Sequence, residues 1–231
     1  YLANLSEKSV PQLLGINTVN QVKTSFSIPI MPPGEIESFI KEHHLNRFCS
    51  LKMKVSDEEA YAHIKEIEKH FNGNIRIDAN EGFKDPDQVI SFLEKLGNNC
   101  PIEFLEQPMP ASAHDEYLYL KDKSPVDIMA DESVCDGEIN QYFEDRFHSI
   151  NIKLMKSGGY FKAVKQIREA KSRGLKVMIG CMIETSLGIT SAMNISYGAD
   201  YCDLDGSLIL EKDPYDYLIE EKGKLFMAHM Q

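Results

Sequence analysis

The stretch Ser149-Ile150-Asn151-Ile152-Lys153-Leu154-Met155-Lys156-Ser157-Gly158-Gly159 begins as a short β-type run and turns through paired glycines. Beyond it Tyr160, Val164, Ile167 and Ala170 recur at helical spacing until Gly174 stops the pattern, and Leu175-Lys176-Val177-Met178-Ile179 follows as a second short apolar run. Strand, helix, strand at this rhythm means parallel pairing, because parallel neighbours need a crossover.

The same rhythm extends in both directions. Upstream lie Thr24-Ser25-Phe26-Ser27-Ile28, Cys49-Ser50-Leu51-Lys52-Met53-Lys54, Ile75-Arg76-Ile77-Asp78, Ile102-Glu103-Phe104-Leu105-Glu106 and Asp127-Ile128-Met129-Ala130-Asp131; downstream lies Tyr201-Cys202-Asp203-Leu204-Asp205. Helix starts are explicit between them. Ser56-Asp57-Glu58-Glu59 reads as a capping box ahead of Ala60, Ile64, Ile67 and Phe71. Asp85-Pro86-Asp87-Gln88 places Pro at the first helical position, ahead of Val89, Phe92, Leu93 and Leu96. Five of the eight strands end in an ionisable residue, at Lys54, Asp78, Glu106, Asp131 and Lys153, spaced 22 to 28 residues apart. Eight such units close into an α/β TIM-type (β/α)8 barrel, whose C-terminal strand ends converge on a mouth where chemistry is done. A doubly wound open sheet is the rival, and no GxGxxG follows the first strand to favour it.

Composition narrows the function. The 231 residues carry 36 acidic and 25 basic side chains, a net charge of −11, with no basic run to neutralise phosphates, so a nucleic-acid or anionic-membrane partner is not expected. The longest apolar run, residues 177–183, is far short of a membrane span. Five scattered cysteines without a CxxC pair fit reduced thiols, and a cytoplasmic location is expected. The N-terminal residues show no secretory signal, and the missing initiator Met fits a trimmed chain. Small molecules are the expected partners.

Asp78, Glu106 and Asp131 finish three consecutive predicted strands, which sets oxygen ligands around one point. Such a donor set suits a hard cation such as Mg²⁺ rather than zinc. Helix capping would account for any one of them, but independent caps have no reason to share a register. Lys54 and Lys153 end strands four apart in an eight-strand circle, so they face each other across the mouth. Lys52, two residues before Lys54, points to the same face, where like charge disfavours the ammonium form of Lys54. Blander readings suit other features: a tight turn at Gly158-Gly159, a solvated pair at His43-His44, and core filling by Met53, Met129, Met155, Met178 and Met182.

Lys52-Met53-Lys54, Ile77-Asp78-Ala79-Asn80, Leu105-Glu106-Gln107-Pro108, Ala130-Asp131-Glu132-Ser133 and the stretch from Asn151 to Gly159 together resemble the ordered signature of the enolase superfamily, muconate-lactonising subgroup. The resemblance runs over essentially the whole chain. It implies a barrel modified to (β/α)7β, with Mg²⁺ held by Asp78, Glu106 and Asp131, acid/base lysines at Lys54 and Lys153, Lys52 tuning Lys54, and Asn80 and Glu132 orienting them; a lysine or histidine base beside Mg²⁺ is that superfamily's known arrangement. Lys156, three residues past Lys153, is expected in a loop. Strand seven ends in Gly180-Cys181-Met182-Ile183-Glu184 without a histidine, unlike the mandelate-racemase-like subgroup.

Asp203-Leu204-Asp205, with Met182-Ile183-Glu184-Thr185-Ser186, resembles the dipeptide epimerases, where the Asp pair holds the substrate's free ammonium group. The implied reaction is Mg²⁺-dependent removal and return of the α-proton at the C-terminal residue of a dipeptide such as Ala-Glu, through an enediolate. Within the family the alternatives are an N-acylamino-acid racemase, an o-succinylbenzoate synthase or a muconate-type cycloisomerase. Of other classes, a Schiff-base aldolase using Lys153 and a non-catalytic metal-binding barrel stay open. Residues 1–20 are expected to be a lead-in from an N-terminal capping domain absent from this chain, with Pro11-Gln12-Leu13-Leu14-Gly15 resembling the family's connection, and residues 21–231 the barrel. The resemblance also implies a tendency to form homo-oligomers.

Overall fold

The computed structural model describes residues 2–55, 60–97 and 99–228. Its strands are β1 (Gln21–Lys23), β2 (Phe26–Ile28), β3 (Ser50–Lys54), β4 (Asn74–Asp78), β5 (Ile102–Glu106), β6 (Asp127–Ala130), β7 (Ser149–Lys153), β8 (Lys176–Gly180), β9 (Tyr201–Asp203), β10 (Leu218–Glu221) and β11 (Lys224–Met227). Strands β2 to β9 pair in sequence order, all parallel. The Ser25 amide donates to the Cys202 carbonyl at 3.3 Å and joins the two edges into a barrel. Each of the eight expected runs is a strand of this barrel.

Helices follow β2 through β8, and among the described residues none follows β9. That is the (β/α)7β arrangement. Alternation along the strands sorts the side chains. Leu51, Met53, Ile75, Ile77, Leu105, Ile128, Ile150, Ile152, Val177 and Ile179 join the large outer core beneath the helices. Phe104, Met129 and Met178 form a separate small core with Tyr201 against it, inside the barrel. The mouth above this plug is polar, because the inward positions further along β3, β4, β5, β7 and β9, and just past β6, carry charged residues.

Local signals set the helices. Asp85 caps Pro86–Leu96 by accepting from the Asp87 amide at 2.8 Å. Asp85→Ala removes that acceptor and is expected to lower stability by about 1 kcal/mol in a urea titration. The helix Ala60–His70 is present, while the capping box before it lies outside the described residues. The helix Tyr160–Ser172 ends two residues before Gly174, whose φ of 74° turns the chain into β8. Gly158 and Gly159 both have positive φ and make the expected turn.

Two expectations are corrected. Met155 and Met182 are 66% and 50% exposed rather than core, whereas Met53, Met129 and Met178 are buried. Met155 sits on a short helix above the barrel and Met182 beyond the end of β8, so neither shares the strand interior. A second sheet, of antiparallel order β1-β11-β10, was not expected. It buries Val22 against Leu225. No helix among the described residues is long and apolar enough to cross a membrane.

Candidate active site

Register brings the predicted residues together. Lys54, Asp78 and Glu106 are successive Cα partners across β3, β4 and β5. Asp131 stands one residue past β6, and Lys153 ends β7. Asp78, Glu106 and Asp131 are all buried. A cavity of about 1160 Å³ opens over Asp78 and Asp131, lined on opposite sides by Lys54 and Lys153, with Asp203 at the end of β9 and Asp205 just beyond it on the wall.

Lys52 is the hub. Its Nζ lies 3.0 Å from Asp78 Oδ2, 2.8 Å from Glu106 Oε2 and 2.9 Å from Asp203 Oδ2. Burial favours the neutral amine, but Asp203, Asp78 and Glu106 outweigh it and hold Lys52 cationic, well above the ordinary lysine range. The Lys52 charge is thus shared among three carboxylates. Lys54 Nζ donates to Asn80 Oδ1 at 3.1 Å, and Asn80 Nδ2 donates to Glu132 Oε1 at 3.1 Å. Asn80 adopts a φ of 40° to aim its amide this way, and its own N–H donates to Asp78 Oδ1.

Asp131 accepts from two amines, Lys153 at 2.7 Å and Lys156 at 2.8 Å. Lys156 is thus part of the site. The chain does not loop away after β7 but coils at once into the short helix Leu154–Ser157, which swings residue 156 back over Asp131.

Asp203 and Asp205 differ. Asp203 accepts from Ser25 Oγ at 2.6 Å as well as from Lys52. Burial works against its charge, but Lys52, Ser25 and Arg76 prevail and its carboxyl falls to about 2. Asp205 lies beyond β9 and accepts from the Ser27 amide at 2.6 Å. Burial, reinforced by Asp203, pushes its carboxyl up to about 6. Both line the cavity, but both Asp203 oxygens are already engaged within the chain.

Sequence reading passed over three residues that support this group. Asn151 Nδ2 donates to Glu106 Oε1 at 2.7 Å. Arg76 Nη1 donates to Ser25 Oγ at 2.9 Å, its guanidinium lying over the rings of Phe104 and Tyr201. Ser25 Oγ in turn donates to Asp203 Oδ1 at 2.6 Å. The signal was available for two of them: Asn151 and Arg76 each sit two residues before a predicted site residue, hence on the same strand face.

The donor set suits a divalent cation. Among the described residues no three His, Cys, Asp or Glu side chains stand as a ready coordination shell, since ammonium groups hold the oxygens. Yet six carboxyl groups, Asp78, Glu106, Asp131, Glu132, Asp203 and Asp205, meet four lysine amines, those of Lys52, Lys54, Lys153 and Lys156, so acidic groups outnumber basic ones in this cluster. Glu106 Oε2 has the Lys52 amine, at 2.8 Å, as its neighbour. Burial, with Asp78 and Asp131 adding to it, raises the Glu106 carboxyl to about 8 against the pull of Lys52. Hard oxygen donors in a buried cluster where acidic groups outnumber basic ones fit Mg²⁺.

Comparison with known proteins agrees with this architecture. A family model described as enolase C-terminal domain-like matches residues 35–225. The L-Ala-D/L-amino acid epimerase of Pedosphaera parvula is 34% identical over 229 residues, which cover 98% of this chain and 65% of that protein. A crystal structure of an enolase family member from Agrobacterium tumefaciens with homology to dipeptide epimerases, bound to sodium and L-Ala-L-Glu, superposes with a TM-score of 0.87 at 30% identity, covering 99% of this chain and 68% of that one. The dipeptide epimerase of Enterococcus faecalis V583, complexed with Mg and L-Leu-L-Tyr, gives 0.85 at 29% identity, over 98% of this chain and 67% of that one. The chain thus spans only about two thirds of the length of these relatives. With its family model matched from the first barrel helix to the last strand, the chain belongs to the enolase C-terminal domain-like family.

Proposed function

We propose that this chain is the catalytic barrel of a Mg²⁺-dependent dipeptide epimerase, which removes and returns the α-proton of the C-terminal residue, with L-Ala-L-Glu and L-Ala-D-Glu as the first substrates to try. One observation carries the reading: two lysines rise from β3 and β7, four strands apart in a barrel of eight, with buried carboxylates between them. A carbon held at the centre offers one face to each amine. The relatives named above point to the same reaction class.

Asp78, Glu106 and Asp131 would hold Mg²⁺, which supplies positive charge against the substrate carboxylate as the enediolate develops. The chain's own groups do the rest. Lys54, in the fraction that carries a free amine, takes the α-proton from one face, steered by Asn80, and the ammonium of Lys153 delivers a proton to the other face; the reverse reaction exchanges their roles. Asp205 would accept the ammonium group of the dipeptide, while Asp203, tied to Ser25 and Lys52, shapes the same wall. Glu132 fixes Asn80.

The test is solvent exchange by the barrel in its full-length protein. With Mg²⁺ in D₂O, a dipeptide library is expected to yield one deuterium at the α-carbon of the C-terminal residue, read by mass. Asp205→Asn should raise KM for dipeptides about 10- to 100-fold, as loss of a charge-assisted hydrogen bond would. A racemase of N-acylated amino acids has no substrate ammonium and would be indifferent to that change. Absence of deuterium from every dipeptide would sink the proposal.

A further inference from the structure

Glu106 stands at the end of β5 in the centre of the carboxylate group and is fully buried. Its two oxygens meet different partners. Oε2 lies 2.8 Å from Lys52 Nζ, whereas Oε1 accepts from Asn151 Nδ2 at 2.7 Å. Asn151 lies on β7, two residues before Lys153, and is itself 0% exposed.

Only half of the Asn151 amide is satisfied: its Oδ1 has no hydrogen-bond partner. An unpaired buried amide oxygen carries a desolvation penalty that an apolar side chain of similar size would avoid, so packing alone does not call for asparagine here. With Glu106 ionised, as a cation ligand must be, turning the amide end for end would set its oxygen against the carboxylate, acceptor against acceptor. Glu106 therefore dictates which way the amide points.

The oxygen is directed at Gly180 on β8. A Cβ there would lie 2.3 Å from Asn151 Oδ1 and 2.9 Å from its Nδ2. Gly180 is not among the residues with positive φ, so the backbone does not need glycine at this point; the amide needs the space.

We propose that Asn151 is the positioning residue of Glu106, holding Oε1 so that Oε2 is presented to a divalent cation, and that Gly180 is side-chain-free to admit the Asn151 amide. The proposal rests on the reading of Glu106 as a cation ligand. Asn151 touches neither the reacting carbon nor the cation; it acts through Glu106, as outer hydrogen-bond partners of metal ligands do.

The experiment is a double-substitution cycle read by calorimetric titration of Mg²⁺ into the full-length protein, with melting temperature as the folding control. Asn151→Ala is expected to weaken Mg²⁺ binding about 10- to 100-fold, and Asn151→Ser, whose hydroxyl is too short to reach Glu106, should match it. Gly180→Ala should weaken binding comparably by displacing the amide. Combined with Asn151→Ala it should add nothing, because the amide it collides with is gone. If Gly180→Ala alone does not fold, folding of the double variant reports the same coupling. The proposal is overturned if Asn151→Ala binds Mg²⁺ as the parent does, if the two losses multiply, or if the double variant fails to fold alongside Gly180→Ala. A parent protein that takes up no Mg²⁺ overturns the cation reading, and this inference with it.

Discussion

Lys153→Ala and Lys54→Ala should each lower epimerisation by roughly 10²- to 10⁴-fold, the range for loss of a general acid or base, and yet each should still wash deuterium into one epimer of the substrate. The reason is positional. β3 and β7 are separated by β4, β5 and β6 on one side and by β8, β9 and β2 on the other, so each lysine approaches from its own side of the mouth. With Lys153 gone, Lys54 can still take the α-proton facing it, exchange that proton with solvent and return deuterium to the same face. Configuration is retained and label enters. The opposite epimer presents its α-proton to an alanine and should stay unlabelled. Lys54→Ala should show the mirror-image preference. Mass spectrometry on each separate epimer in D₂O reads both outcomes, and two variants labelling the same epimer would refute the two-sided arrangement.

What the sequence carried, and what it could not, follows from the range of the interactions. The eight barrel strands were legible because alternation and strand-end charge are local, and because parallel strands with helices between them leave a regular spacing. The small sheet was not, because its β10–β11 hairpin turns on Lys222-Gly223, both with positive φ, where the sequence lacks the usual Asn-Gly or Asp-Gly signal. β1 pairs with β11 across nearly the whole chain, which no local pattern announces. At the site, strand parity told which side chains face the barrel interior but not whom they meet. Lys52 and Asp203 are 151 residues apart in sequence and share a 2.9 Å contact. Lys156 departs from expectation for a different reason: the sequence after β7 reads as a loop, and a single helical turn instead carries the side chain back onto Asp131.

The contact between Lys52 and its carboxylates leads to the second large effect, on stability rather than rate. Lys52→Met keeps the length and apolar stem of the side chain but removes the ammonium that Asp78, Glu106 and Asp203 share. Replacing a whole buried ion cluster by apolar groups can be neutral; removing one partner leaves buried charge without compensation and costs about 3–5 kcal/mol. In urea denaturation with EDTA present, Lys52→Met should lose that much. Lys54→Met is the internal control, since Lys54 is solvent-exposed and its ammonium donates to the neutral Asn80, so its loss should stay within about 0.5 kcal/mol. Mg²⁺ should then restore part of the Lys52→Met deficit, because a ligand that binds only the folded state stabilises it by an amount that grows with the logarithm of its concentration over Kd, and carboxylates freed of the Lys52 ammonium should bind the cation more tightly than those of the parent. Equal stability of the two variants in EDTA would show that the Lys52 ammonium is not what holds the buried carboxylates in place, and a deficit that Mg²⁺ leaves untouched would show that those carboxylates are not where the cation goes.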